Sequence, residues 1–134
     1  MYKIYLTYIL SSILNYFTRK LSKKLRKGEK KDMKNVLLVC GTGASSGFMA
    51  KNIRNAAKAR GVDISVKARS DSEVEEYIEE IDLLMVGPHL KYMLGDLEEI
   101  ADPFDVPVRI IDEDAYGSLD GDAVLDAIVK ELNL

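Results

Sequence analysis

The chain has few of the residues that close a disulfide or build a zinc site of the usual kinds. It carries one cysteine, Cys40, and one histidine, His89. A lone cysteine excludes a disulfide scaffold. One Cys and one His far apart in sequence do not make a zinc site of the usual kinds. With 134 residues, the chain is also too short for a large two-domain enzyme. Positive charge is in deficit overall, with Lys+Arg 19 against Asp+Glu 22 and a formal net charge of −3.

That average hides a division. Residues 1–32 hold nine basic groups and two acidic ones, a net of +7. Residues 33–134 hold ten basic and twenty acidic groups, a net of −10. An acidic domain of that size argues against nucleic-acid binding. The chain therefore divides into an apolar and basic N-terminal extension, 1–32, and one domain, 33–134.

The extension lacks the order of a secretory signal, which puts basic residues first and a small-residue cleavage site after the apolar run. Here residues 4–18 (IYLTYILSSILNYFT) are uncharged and mostly apolar, and the basic run Arg19 to Lys31 follows. A helix over residues 4–18 would span roughly 22 Å, short of the roughly 30 Å hydrocarbon core. Lys3, Thr7, Ser11 and Asn15 recur about one turn apart and leave a wide apolar face. Three readings stay open: an appended, non-native segment upstream of Met33, an interfacial helix with a polybasic flank, and a tail.

From Met33 the pattern alternates. Val36 to Cys40 is a continuous apolar run, as in a strand buried on both faces. Gly41 to Gly47 reads as a loop. Phe48 to Arg60 reads as a helix with Phe48, Met49, Ile53, Ala56 and Ala57 inward, stopped by Gly61. Ile64 to Ala68 is a strand with a wet face. Ser70 and Glu73 form a capping box, ahead of a helix with Val74, Tyr77 and Ile78 inward. Its acidic residues Glu73, Glu75, Glu76, Glu79 and Glu80 read as a solvated face. Ile81 to Val86 is a third strand. Pro88 suits a helix start, with Leu90, Met93, Leu94, Leu97 and Ile100 on the buried side. Val106 to Ile111 is a fourth strand, and Asp120 caps a last helix. The expectation is an α/β fold with three α-β-α layers and a four-stranded parallel sheet of order 2-1-3-4. Ligands bind such sheets where the chain direction reverses, outside the carboxyl ends of strands 1 and 3. Cys40 to Gly47 and Gly87-Pro88-His89 frame that crevice.

The segment Cys40-Gly41-Thr42-Gly43-Ala44-Ser45-Ser46-Gly47 is rich in small residues. Backbone N–H groups can turn toward one point there, and the next helix adds its N-terminal donors. The result is an anion site of phosphate size. Its field is expected to lower a thiol pKa and favour attack on a phosphoryl group. The alternative is an inert, buried thiol at a strand end. The loop is no Walker A motif, because no Lys-Ser/Thr pair follows. It is no dinucleotide fingerprint either: the glycine spacing is wrong and no acidic residue ends strand 2. Low-molecular-weight tyrosine phosphatases share this kind of fold and use Cys-x5-Arg. Six residues after Cys40 stands Ser46, so no guanidinium clamps the oxygens for hydrolysis. A carrier that takes and passes on a phosphoryl group fits better than a hydrolase.

The domain resembles the enzyme IIB component of the sugar phosphotransferase system, of the lactose/cellobiose (chitobiose, lichenan) family. The resemblance runs from Met33 to the C-terminus. It rests on Val36 to Cys40 followed by Gly43, Ser45, Ser46, Met49 and Lys51, on Gly87-Pro88-His89-Leu90-Lys91-Tyr92-Met93-Leu94, and on Pro107-Val108, Ile111-Asp112 and Tyr116-Gly117. It implies a protein-phosphohistidine–sugar phosphotransferase. Enzyme IIA would phosphorylate Cys40, which would then phosphorylate a β-linked disaccharide entering through enzyme IIC. It implies no metal and no organic cofactor, and a cytoplasmic domain that meets the membrane through enzyme IIC. Local positive potential would come from the helix terminus, with Lys51, Arg54 and Lys91 as contributors. His89 stands where the family commonly has glutamine. It reads either as a partner of phosphorylated Cys40 or as an exposed residue at a helix start. Tyr92 and Tyr116 read as packing or docking residues. The alternatives are a phosphorylation-dependent regulatory domain and a phosphatase-like protein of the same fold.

Overall fold

The computed structural model describes residues 10–18, 33–40 and 44–134. Residues 1–9, 19–32 and 41–43 lie outside the described residues, so the expectations for Gly41, Thr42 and Gly43 and for most of the extension are not addressed by it. Residues 10–18 are helical.

Strand β1 (Lys34–Val39) is central, and its sequence shows why. Val36, Leu37, Leu38 and Val39 are all buried, because neighbours cover both faces and both edges. One edge pairs in parallel with β2 (Ile64–Arg69), Val36 opposite Val66. The other pairs with β3 (Leu83–Val86), Val36 opposite Leu83. Strand β3 pairs in turn with β4 (Val108–Ile110). All four strands are parallel, in the order β2-β1-β3-β4. The central strands are continuous apolar runs, whereas only Val66 in β2 and Val108 in β4 are buried.

The third and fourth strands are shorter than expected. Strand β3 begins at Leu83 rather than Ile81 because Asp82 is occupied by β1: its N–H donates to Asn35 O at 2.7 Å, and its carboxylate accepts from Asn35 N–H at 2.9 Å. Strand β4 begins after Pro107, which has no N–H to donate and contributes only its carbonyl, to Leu84 N–H.

Side chains of β1 alternate between two helical layers. Val36, Leu38 and Cys40 face α1 (Ala44–Arg60), which supplies Met49 and Ile53, and the C-terminal helix, which supplies Val124, Leu125 and Ile128. Leu37 and Val39 face the opposite layer, with Val74, Ile78, Leu90 and Leu97. Truncating any fully buried leucine here to alanine is expected to cost about 2–5 kcal/mol.

Helix α1 ends at Gly61, where φ is +68°. Val62 N–H reaches Ala57 O at 2.9 Å and Gly61 N–H reaches Lys58 O, a paired closure that requires the left-handed conformation. Its start differs from the expectation. The helix begins at Ala44, four residues before Phe48, so Ser45, Ser46 and Gly47 belong to its first turns. Phe48 is 63% exposed, not inward. Ser46, Met49, Ala50, Ile53, Ala56 and Ala57 make the buried stripe, and Phe48 lies beside Lys51 and Asn55 on the outer face.

The capping box at Ser70 opens a 3₁₀ turn (Asp71–Glu73) leading into a single α turn, α2 (Val74–Tyr77). Glu73 carboxylate accepts from Ser70 N–H at 3.1 Å. Pro88 begins a second 3₁₀ segment (Pro88–Met93), which continues as α3 (Leu94–Ala101). A short helix the pattern did not suggest, α4 (Glu113–Gly117), is capped by Asp112, whose carboxylate accepts from Ala115 N–H at 3.1 Å. Asp120 caps α5 (Gly121–Leu132) as expected, accepting from Ala123 N–H at 3.0 Å.

Candidate functional site

Strands β1 and β3 both end at the crevice where the sheet reverses direction. Cys40 directly follows β1, and Gly87 directly follows β3 and donates its N–H to Val39 O at 2.9 Å. The two residues therefore lie side by side. Gly87 has an ordinary φ of −60°, so conformation does not demand glycine. Space does. A Cβ there would sit 3.0 Å from Cys40 Sγ and 2.9 Å from His89 Cε1. The sulfur and the imidazole share the room left by the missing side chain.

Two hydroxyls complete the surroundings of the sulfur. Tyr116, delivered by the unexpected helix α4, and Ser46, in the first turns of α1, are the side chains that act on the Cys40 thiol and pull its pKa down. Ser46 is fully buried and occupies the position six residues after the cysteine where a phosphatase carries arginine. The rings of His89 and Tyr116 are tilted at 53° with centroids 5.5 Å apart. His89, itself exposed, thus touches the site through Tyr116 and Gly87.

The thiol is more enclosed than the sequence suggested. Cys40 is 1% exposed. Burial pushes its pKa up, and the hydrogen bonds from Tyr116, Ser46 and the Gly87 backbone, which pull it down, are outweighed. The expected lowering is therefore reversed in this arrangement, because desolvation of the thiolate exceeds what the donors return. The same three contacts are nonetheless the groups that would stabilise negative charge on sulfur.

The cations named from sequence are placed elsewhere. Arg54 is tied to β2, its guanidinium donating to Val66 O at 2.8 Å. Lys91 lies 3.6 Å from Glu113 in an exposed ion pair. Lys51 and Tyr92 are exposed, on α1 and on the 3₁₀ segment after β3. Neither is part of the cluster around the sulfur. For Ala44 and Ser45 the structure gives the helical backbone only. The steric role of Gly87 was missed from sequence, where Gly87-Pro88 read only as a strand breaker. Among the described residues no group of His, Cys, Asp and Glu side chains is arranged to hold a metal ion.

A parallel sheet of order 2-1-3-4 with a cysteine at the end of its first strand defines a domain of the class to which the low-molecular-weight tyrosine phosphatases belong. Residues 35–127 match the family model for the lactose/cellobiose-specific IIB subunit of the phosphotransferase system. The chain belongs to that family. It is 28% identical over 89 residues to the oligo-beta-mannoside-specific EIIB component of Bacillus subtilis, covering 66% of this chain and 86% of that protein. It is also 28% identical over 100 residues to the lactose-specific EIICB component of Lacticaseibacillus casei, covering 73% of this chain and 17% of that longer protein. Among solved structures, the cellobiose-specific IIB component of Borrelia burgdorferi superposes with a TM-score of 0.65 at 28% identity, covering 78% of this chain and 95% of that one.

Proposed function

We propose that this chain is a phosphoryl carrier that works through Cys40. A phosphohistidine on an enzyme IIA component donates the group. Sulfur attacks phosphorus in line, the P–N bond breaks, and the departing imidazole takes the thiol proton. In the second step a hydroxyl of a β-linked disaccharide attacks the phosphocysteine, the S–P bond breaks, and the proton returns to sulfur. In both steps the protein positions groups and balances charge. The observation that carries the reading is the placement of Cys40 at the end of β1, beside Gly87 at the end of β3, in the crevice where the sheet reverses direction. Family membership supports it, and so does the presence of serine rather than arginine at position 46. The fused EIICB relative supports an enzyme IIC partner, and hence work at the cytoplasmic face of a membrane transporter.

The enclosed sulfur adds one requirement. Because Cys40 is buried, the reading requires the groups that cover it to shift before donor phosphorus reaches the sulfur. The test is incubation of the full chain with a phosphorylated enzyme IIA, read by intact mass. One phosphoryl adduct, absent from Cys40→Ser, is expected. An adduct of equal yield on Cys40→Ser would overturn the reading. Steady Cys40-dependent hydrolysis of p-nitrophenyl phosphate would favour a phosphatase instead.

A further inference from the structure

The helix at residues 10–18 leaves its large apolar side chains exposed. Leu10, Ile13, Leu14 and Phe17 are between 46% and 69% exposed. Their spacing of i, i+3, i+4, i+7 puts them in one row. Ser12, Asn15 and Tyr16 instead face Pro103 and Phe104 across a shallow cleft. Tyr16 is partly buried there, while Ser12 and Asn15 stay exposed, as the apolar row does. A contiguous row of large apolar side chains in water marks a surface that something apolar covers.

The neighbouring sequence indicates what covers it. Residues 19–32 carry Arg19, Lys20, Lys23, Lys24, Arg26, Lys27, Lys30 and Lys31 against Glu29 and Asp32, a net of +6. A partner must therefore offer hydrocarbon to the row and negative charge beside it. An anionic bilayer offers both in one plane. A second copy of the helix would offer hydrocarbon but would bring its own basic run beside it, the negative charge of the chain being carried by residues 33–134. As a helix the uncharged run 4–18 would span roughly 22 Å against a hydrocarbon core of about 30 Å, and among the described residues no helix is long and apolar enough to cross a membrane. We propose that Leu10, Ile13, Leu14 and Phe17 insert into the headgroup–acyl boundary of an anionic bilayer, with the helix lying in the interface plane.

The test is co-sedimentation of the full chain with vesicles of phosphatidylglycerol and phosphatidylcholine, and with phosphatidylcholine alone. Anionic vesicles are expected to bind at least about tenfold more protein at about 0.1 M NaCl, and much of that preference is lost at about 1 M. The double variant Leu14→Glu/Phe17→Glu alters only exposed side chains. It is expected to lose at least about tenfold in partitioning with an unchanged unfolding midpoint. Equal pelleting of parent and variant would overturn the proposal, and so would indifference to lipid charge. Self-association of the lipid-free parent that the variant abolishes would assign the row to a second copy and overturn it. Resistance of the membrane-bound chain to alkaline carbonate would indicate a span and overturn it as well.

Discussion

At Cys40 two opposing effects meet, and their balance sets the chemistry. Burial raises the thiol pKa, while Tyr116, Ser46 and Gly87 lower it by less. The folded thiol therefore holds its proton at a pH where an exposed cysteine has begun to lose it. As pH rises past the unfolded value, the unfolded chain releases a proton that the native chain keeps, so stability falls with pH over that window. Alkylation of native Cys40 by iodoacetamide should climb from about pH 7 to about pH 9 without a plateau, because only thiolate reacts. Tyr116→Phe removes one donor to the sulfur. Since Tyr116 pulls the thiol pKa down, the profile should move to higher pH. An unmoved profile would mean that the Tyr116 hydroxyl does not act on the sulfur. The His89 ring lies 5.5 Å from that of Tyr116 and shares the space above Gly87.

The elements show which parts of the fold were legible in the sequence. The two central strands were plain, because burial on both faces leaves no room for polar residues between Val36 and Val39 or between Leu83 and Val86. The end of α1 was equally plain, since Gly61 alone tolerates the φ that closure needs. The start of α1 was not. Ser45, Ser46 and Gly47 are poor helix formers, yet burial of Ser46 against the sulfur outweighs local propensity. Helix α4 escaped notice because five residues are too few to show a period, so Tyr116, named from sequence as a possible contact of the site, could not be placed beside Cys40. Two glycines test this level of description in opposite directions. A Cβ on Gly121 would stand 2.4 Å from the backbone carbonyl carbon of Asn52, so α5 meets α1 there at glycine distance. Asn52 also donates from its side-chain amide to Leu119 O at 2.9 Å across the same junction. Gly121→Ala should destabilise the domain by about 1–3 kcal/mol. Gly95, near the start of α3, has open space around its Cα. Gly95→Ala should stabilise by about 0.5–1 kcal/mol through helix propensity. Urea unfolding of the two variants should shift the midpoint to opposite sides of the parent, and a shared direction would contradict the packing described.

Across the whole molecule, charge and core divide at the same place. Every buried apolar side chain among the described residues lies between Val36 and Ile128. The basic excess lies before Met33, while the acidic domain carries −10. Phosphate chemistry at the C-terminal edge of so acidic a domain needs local positive potential. Arg54 donates to Val66 O and Lys91 is paired with Glu113 in an exposed ion pair, which directs both side chains to those partners. Residues 10–18, the described part of the extension, by contrast contribute an apolar row and no side chain to either core layer. A chain starting at Met33 should therefore unfold within about 2 °C of the full chain in lipid-free buffer, since a domain of this size moves by about 4–8 °C per kcal/mol. It should also take up the phosphoryl group as the full chain does. Differential scanning calorimetry reads the first expectation, and a drop of more than about 5 °C would mean that the extension supplies packing to the domain. The same pair of chains in anionic vesicles should then separate completely, which would place the contribution of the extension at the membrane and not in the fold.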